Sequence, residues 1–174
     1  MRSSYNDKSA SERLVIYDVD KDMYPDFTVE NNSWFEAAPI VNNCVGCFGC
    51  WIKTPGACVI KDRCSVIPGM MSQSSEVVII SPVCYGSYSA NIKAVLDRSI
   101  AYILPYFRIV RNEMHHKMRY ENPFKLNVCF YGACDEEEKQ IAECLVKANA
   151  LNLGAGSSQV TFYSSIYEVR EALG

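Results

Sequence analysis

The sequence predicts an α/β fold: a three-layer sandwich around a five-stranded parallel sheet in the order 2-1-3-4-5. Three observations predict it. Short apolar, β-branched runs recur along the 174 residues. Segments with helical spacing of apolar residues separate them. The runs are continuous rather than alternating, the pattern of strands covered on both faces, and such strands belong to parallel sheets.

Residues 1–12 are polar and read as a loose N-terminal segment. "RLVIYDV" (Arg13–Val19) is the first strand, and "APIV" (Ala38–Val41) is a weaker second one leading into a cysteine-rich loop. "EVVIISP" (Glu76–Pro82) is the strongest strand, bounded by Ser75 and Pro82. Ser89 is a natural N-cap, and Ile92, Val95, Leu96, Ile100 and Ile103 then share one helical face. Pro105 breaks that helix inside the aromatic stretch "AYILPYFRIV". "RNEMHHKMRY" reads as a solvated polar segment, its two histidines too far apart around a helix to share a metal. "FKLNVCFYG" (Phe124–Gly132) is the fourth strand. Asp135 and Glu138 then open a helix as a capping box, with Ile141, Leu145 and Ala148 as its apolar face. "SQVTFYS" (Ser158–Ser164) and a helix over Ile166–Leu173 complete one domain spanning residues 1–174. In this strand order, ligands bind beyond the carboxyl ends of the strands, so the loops after Val19, Pro82 and Gly132 are the ones to read.

Composition narrows the function classes. Apolar residues make up 49% and charged residues 21%, so the chain buries a core rather than remaining disordered. The net charge of −3 argues against nucleic acid, which needs a cationic face. No apolar run approaches membrane-spanning length, and the first residues lack the apolar core of a signal peptide. A cytoplasmic protein is expected, and in that reducing compartment nine cysteines read as ligands, redox groups or packed thiols rather than disulfides.

Four of them stand in "CVGCFGCWIKTPGAC": Cys44, Cys47 and Cys50 at C-x2-C-x2-C spacing, then Cys58. A loop can turn three such sulfurs inward, with Gly46 and Gly49 easing the turns and Pro55–Gly56 returning the chain for the fourth. That suits a [4Fe–4S] cluster. It also suits zinc, a redox pair such as Cys47/Cys50, or small apolar thiols in a tight loop. Cys64 and Cys84 flank the same region; Cys129 and Cys144 fall on predicted core positions. Trp51 either covers a cofactor or walls the loop.

The cysteine loop, Lys61–Asp62, "SPVCYGSYSANIKAVLDR" (Ser81–Arg98) and the "FYG" ending the fourth strand together resemble the NADPH-dependent FMN reductases and their iron–sulfur flavoprotein branch. The resemblance implies a flavodoxin-like fold and an oxidoreductase that moves electrons from a nicotinamide nucleotide through FMN to an unidentified acceptor. It implies that Ser81, Pro82, Val83, Tyr85, Gly86, Ser87 and Gly132 surround the flavin ring, and that Cys44, Cys47, Cys50 and Cys58 hold the cluster. It implies a homodimer and names no acid or base catalyst, because the flavin does the chemistry.

The first loop departs from that family's pattern. Asp18, Asp20 and Asp22 stand where hydroxyl donors would grip the FMN phosphate. A carboxylate 4 Å from a phosphate charge is repelled by about 1 kcal/mol in water and roughly 4 kcal/mol at an effective dielectric near 20. A relative without FMN, using its cysteine loop for metal or partner contact, is the alternative. The D-x-D also resembles the nucleophile motif of haloacid-dehalogenase-type phosphatases, with Asp18 as nucleophile and Asp20 as acid/base.

Overall fold

The structure is a computed structural model that describes residues 13–19, 32–38 and 41–173. The expected status of residues 1–12, and Asp20 and Asp22 of the acidic loop, lie outside them.

Among the described residues seven strands and five helices run in the order β1 (Arg13–Tyr17), β2 (Asn32–Glu36), α1 (Gly49–Ile52), α2 (Ile67–Ser72), β3 (Glu76–Pro82), α3 (Ala90–Arg98), β4 (Ile103–Val110), β5 (Glu113–Met118), β6 (Lys125–Tyr131), α4 (Glu136–Leu153), β7 (Ser157–Tyr163) and α5 (Ile166–Leu173). Five strands form one sheet in the order β2-β1-β3-β6-β7, all neighbours parallel. Counted along the sheet's own members, that is the predicted 2-1-3-4-5. One face of the sheet, through Leu14, Ile16, Val77, Ile79, Leu126 and Val128, packs on α3 and α4; the other, through Val15, Val78 and Ile80, packs on α5. Among the described residues no helix is long and apolar enough to cross a membrane.

Three expectations need correction. The second strand is Asn32–Glu36, and neither Ala38 nor Val41 belongs to a strand. β2 has a single neighbour, so only Phe35 is buried and the polar Asn32, Ser33 and Glu36 hide the apolar signal. The helix after β3 stops at Arg98, tightens into a 3-10 turn over Ser99–Tyr102, and Ile103 starts a strand. In place of a broken helix and a polar tail, the chain forms an antiparallel hairpin, β4–β5. Its two-residue turn, Arg111 (φ 51°) and Asn112 (φ 65°), has both residues left-handed, as the twist of paired strands prefers. Finally, α4 buries Ala142, Val146 and Ala150; of the expected face Leu145 packs against the core, whereas Ile141 is half exposed and Ala148 exposed. The capping box itself is as expected: Asp135 accepts the Glu138 N–H at 2.8 Å, and the Glu138 carboxylate accepts the Asp135 N–H at 3.2 Å.

Candidate functional site: a four-cysteine pocket and the loops at the sheet edge

Between Val41 and α1 the chain turns through Gly46 (φ 64°) and then Phe48 (φ 53°). Glycine occupies the left-handed region freely, whereas a bulky Phe there is strained and needs support from its surroundings. Phe48 obtains it by stacking on Trp51 at 5.4 Å. Gly49 serves differently from expectation: it does not turn the chain but lets Val59 approach, since a Cβ at Gly49 would lie 2.5 Å from a Val59 methyl. After α1, Gly56 (φ 90°) donates its N–H to Cys50 O at 3.1 Å and brings the chain back to Cys58.

These turns gather Cys44, Cys47, Cys50 and Cys58 around one cavity of about 40 Å³, otherwise lined mainly by Val45, Phe48, Ile60, Ile100 and Arg98. Burial pushes the Cys50 thiol above its ordinary value, and the charges of Cys58, Cys44 and Cys47 add to it. Among the described residues no three His, Cys, Asp or Glu side chains converge tightly enough to hold a metal as they stand. The donor set nevertheless suits a cluster or zinc: four thiols, no carboxylate on the wall, and one cationic neighbour.

That neighbour, Arg98, is buried. Its Nε donates to Cys58 Sγ at 3.2 Å, and its Nη1 and Nη2 donate to the two Asp62 oxygens at 2.8 Å each. Nη1 also reaches Asn42 O (2.7 Å) and Nη2 reaches Ile60 O (3.1 Å). One side chain thus ties both ends of the cysteine loop together. The Arg98 guanidinium, helped by Asn42, holds the Asp62 carboxyl well below the usual carboxylate range. In the sequence, Asp62 and Arg98 stand out only through the family resemblance; a buried Arg and a half-buried Asp 36 residues apart have no local signal. Cys64 is buried beside this pair and pushed up to about 11, chiefly by burial, and does not line the cavity. Cys129 is buried as expected, but Cys144 is exposed on α4 because the helix face is shifted.

Trp51 walls the loop: its indole N–H donates to Ile103 O (3.0 Å) and Ile100 O (3.3 Å). His116 packs between Trp51 (5.1 Å) and Phe107 (4.7 Å), and its Nδ1 lies 2.7 Å from Leu104 O. His115, on the opposite face of β5, meets Asn152 at 2.9 Å. The histidines are structural members of the hairpin.

The second region is the loop after β3. Ser81 is fully buried; its hydroxyl donates to Pro82 O and accepts the Ser89 N–H, both at 2.9 Å. Ser89 caps α3 by accepting the Ile92 N–H at 3.2 Å. Cys84 and Ser87 exchange backbone hydrogen bonds of 2.9 Å around a turn whose tip, Tyr85 (φ 52°) and Gly86 (φ 69°), is left-handed. A Cβ at Gly86 would sit 2.8 Å from Ile141 and 2.9 Å from Glu138 O, so glycine alone lets the tip seat on α4. The Val83 N–H goes to Tyr131 O and the Gly132 N–H to Tyr163 O. Among the described residues the Tyr85 and Gly86 N–H groups have no partner, and Tyr85 is 92% exposed. A Cβ at Gly132 (φ 104°) would meet only a Val83 methyl, at 4.0 Å. At the end of β1, both Asp18 oxygens accept from Asn91 Nδ2 at 3.2 Å, and Asp18 O accepts the Tyr131 hydroxyl at 2.8 Å.

No family model matches the chain. Over 77 residues it is 32% identical to an iron-sulfur flavoprotein of Archaeoglobus fulgidus, covering 41% of this chain and 34% of that protein. Over 59 residues it is 37% identical to another, from Methanocaldococcus jannaschii, covering 34% of this chain and 30% of that one. The chain spans about a third of the length of these curated relatives. In structure it resembles an NAD(P)H:quinone oxidoreductase from Methanothermobacter marburgensis (TM-score 0.53, 14% identity, 88% of this chain and 86% of that one). It also resembles an FMN-dependent NADH-azoreductase from Bacillus anthracis in complex with FMN (TM-score 0.52, 13% identity, 93% and 97%). The fold is flavodoxin-like, and the resemblance to iron–sulfur flavoproteins is borne out.

Proposed function

We propose that this chain is a flavin-dependent redox protein that takes electrons from a nicotinamide nucleotide and carries an iron–sulfur cluster on its cysteine loop. The observation that carries the reading is the pocket: the four cysteines selected by spacing alone line one cavity, with Arg98 donating to Cys58. Cys44, Cys47, Cys50 and Cys58 would hold a [4Fe–4S] cluster, and the loops bearing Pro82, Val83, Tyr85, Gly86, Ser87 and Gly132 would surround an FMN ring. When bound, FMN supplies hydride acceptance and the cluster supplies single-electron relay. This chain's part is to hold and orient. The unpartnered Tyr85 and Gly86 N–H groups would be donors to the ring, Gly86 keeps the turn seated on α4, and the buried Ser81 would act by fixing the loop's exit.

A homodimer fits the same layout. The ring loop adjoins the N-terminus of α3 and the cysteine pocket its C-terminus, so nine helical residues, about 13 Å, separate them within one chain. Exposed Val45, Phe48, Ile52, Tyr106 and Phe107 surround the cysteine loop and the hairpin, an apolar surface of the kind that meets a partner.

One observation favours a second reading. The Asp18 carboxylate occupies the end of β1, where a phosphate would otherwise lie, and supports a flavodoxin-like relative that binds metal without FMN.

Anaerobic purification, a visible spectrum, and iron, sulfide, zinc and flavin assays on one sample decide the matter. Released FMN with about four iron and four sulfide per chain is the expected result. Zinc in a colourless protein would establish the second reading, and a sample with none of these would overturn both.

A further inference from the structure

The Arg98 guanidinium carries five N–H bonds, and each has an acceptor. Four go to oxygen: Nη1 donates to Asn42 O and Asp62 Oδ2, and Nη2 donates to Ile60 O and Asp62 Oδ1. The guanidinium is a rigid planar fork, so those four bonds fix where the Nε–H points. It points at Cys58 Sγ, 3.2 Å from Nε. The Arg98 side chain is 0% exposed, so bulk water does not compete for this donor. Among the described residues no hydrogen bond reaches the sulfur of Cys44, Cys47 or Cys50.

We propose that Arg98 is the positioning residue for Cys58 as a metal-bound thiolate, singling that sulfur out among the four. A neutral thiol is a weak acceptor, whereas a thiolate is a strong partner for a charged donor. A buried cation aimed at sulfur is therefore matched to the deprotonated form that a metal requires. Closing the cysteine loop does not need this bond. Asn42 precedes the loop, and Ile60 and Asp62 follow it, so the four oxygen bonds already join its ends. Asp62 takes the terminal edge of the fork and Cys58 its Nε side, so the pair presents its positive part to the sulfur.

This role rests on the four-thiol metal site of the proposed function, and it is the same for a cluster and for zinc. The sign of a charge change separates it from a merely structural tie. Arg98→Met removes the donor and leaves the Asp62 carboxylate unopposed, so a metal-bound thiolate becomes less favourable. Asp62→Asn keeps the donor and leaves the guanidinium unopposed, so the same thiolate becomes more favourable, although the fold loses more. A structural tie weakens the site in both variants, and more in Asp62→Asn.

The first readout is Co²⁺ titration of the reduced, metal-free chain, followed by the sulfur-to-cobalt charge-transfer absorption. Affinity is expected to fall by about tenfold or more in Arg98→Met and to rise in Asp62→Asn, with the double variant between Arg98→Met and the parent. The second is the midpoint potential of the iron–sulfur-loaded chain, read by electron paramagnetic resonance, clear of the flavin's absorption. It follows the same order, because positive charge at a ligand sulfur favours the reduced form. A tenfold change in that equilibrium is about 59 mV for one electron. Circular dichroism verifies the fold of each variant. Where a single variant does not fold, the double variant, which strands no charge, reads the loss of the donor, and parental affinity there overturns the proposal. So do shifts of the same sign in Arg98→Met and Asp62→Asn, or a folded Arg98→Met that matches the parent. A parent that holds iron and sulfide while its variants match it removes the Arg98 role alone. A parent whose thiols take up neither iron nor Co²⁺ removes the metal site itself.

Discussion

The Arg98–Asp62 pair yields an asymmetric prediction. Replace Arg98 by Met, and five hydrogen bonds disappear: to Cys58 Sγ, Asn42 O, Ile60 O and both Asp62 oxygens. Asp62 nevertheless keeps three donors, the Asn42 N–H (3.1 Å), Asn42 Nδ2 (3.0 Å) and the Cys64 N–H (3.1 Å). Breaking a buried pair costs about 3–5 kcal/mol, and these donors place Arg98→Met near the lower end. Asp62→Asn is the harsher change. It leaves a buried guanidinium that cannot lose its proton, facing a neutral amide, and falls near the upper end. The double variant has no stranded charge and costs less than Asp62→Asn alone, a coupling of about 0.5–3 kcal/mol. Urea unfolding of the reduced, metal-free chain, followed by circular dichroism, measures all three. Equal costs for the two single variants, or costs below about 1 kcal/mol as for exposed pairs, would refute the reasoning.

The same pair sets a pH dependence. Because the folded Asp62 pKa is depressed, its contribution is fully present above the ordinary carboxylate value near 4 and is lost as pH falls below it towards the folded value. Urea midpoints that decline below about pH 4 in the parent and less steeply in Asp62→Asn would show this. Gly86→Ala forces a side chain into Ile141 and Glu138 O at a left-handed φ and costs roughly 1–3 kcal/mol. FMN titration of that variant is expected to show weakened binding, and unaltered stability would contradict the seating of the turn. In the reduced, metal-free chain, alkylation near pH 8 is expected to modify the exposed Cys44, Cys47 and Cys144 quickly, and Cys64 and Cys129, buried and pushed up to about 11, only on unfolding. Fast labelling of Cys64 in the native chain would show that the loop opens.

The parallel sheet was legible because its central strands are buried on both faces, and continuous apolar runs such as Glu76–Pro82 have few other uses. β2 was not, since an edge strand needs only one buried residue. The β4–β5 hairpin was missed for a different reason. Ile100 and Ile103 continue the helical spacing of α3, and Pro105 looks like a helix stop, but Pro is equally tolerated where a strand's N–H needs no partner. The available signal was Arg111–Asn112: Asn tolerates a left-handed φ, and apolar strand formers precede it. The face of α4 departs from the predicted one because the periodicity of Ile141, Leu145 and Ala148 competes with the contact that seats Gly86 on the helix's outer edge at Ile141.

The functional residues divide along the same physical line. Sulfurs that converge from one short loop must be spaced for the loop to turn them inward, so Cys44, Cys47, Cys50 and Cys58 carry a local pattern. What holds that loop shut has no such constraint. Arg98 is at the end of a helix 40 residues beyond Cys58, and the sheet order that places α3 beside the loop brings them within 3.2 Å. Phe48 shows the converse. Its left-handed backbone is tolerated because Trp51 stacks on it, Trp51 is fixed by carbonyls of the 3-10 turn and β4, and His116 of β5 packs on Trp51's ring. The hairpin that the sequence conceals is therefore a support of the cysteine loop that the sequence displays. A substitution that loosens β5 is accordingly expected to disturb the four-thiol pocket without touching any sulfur.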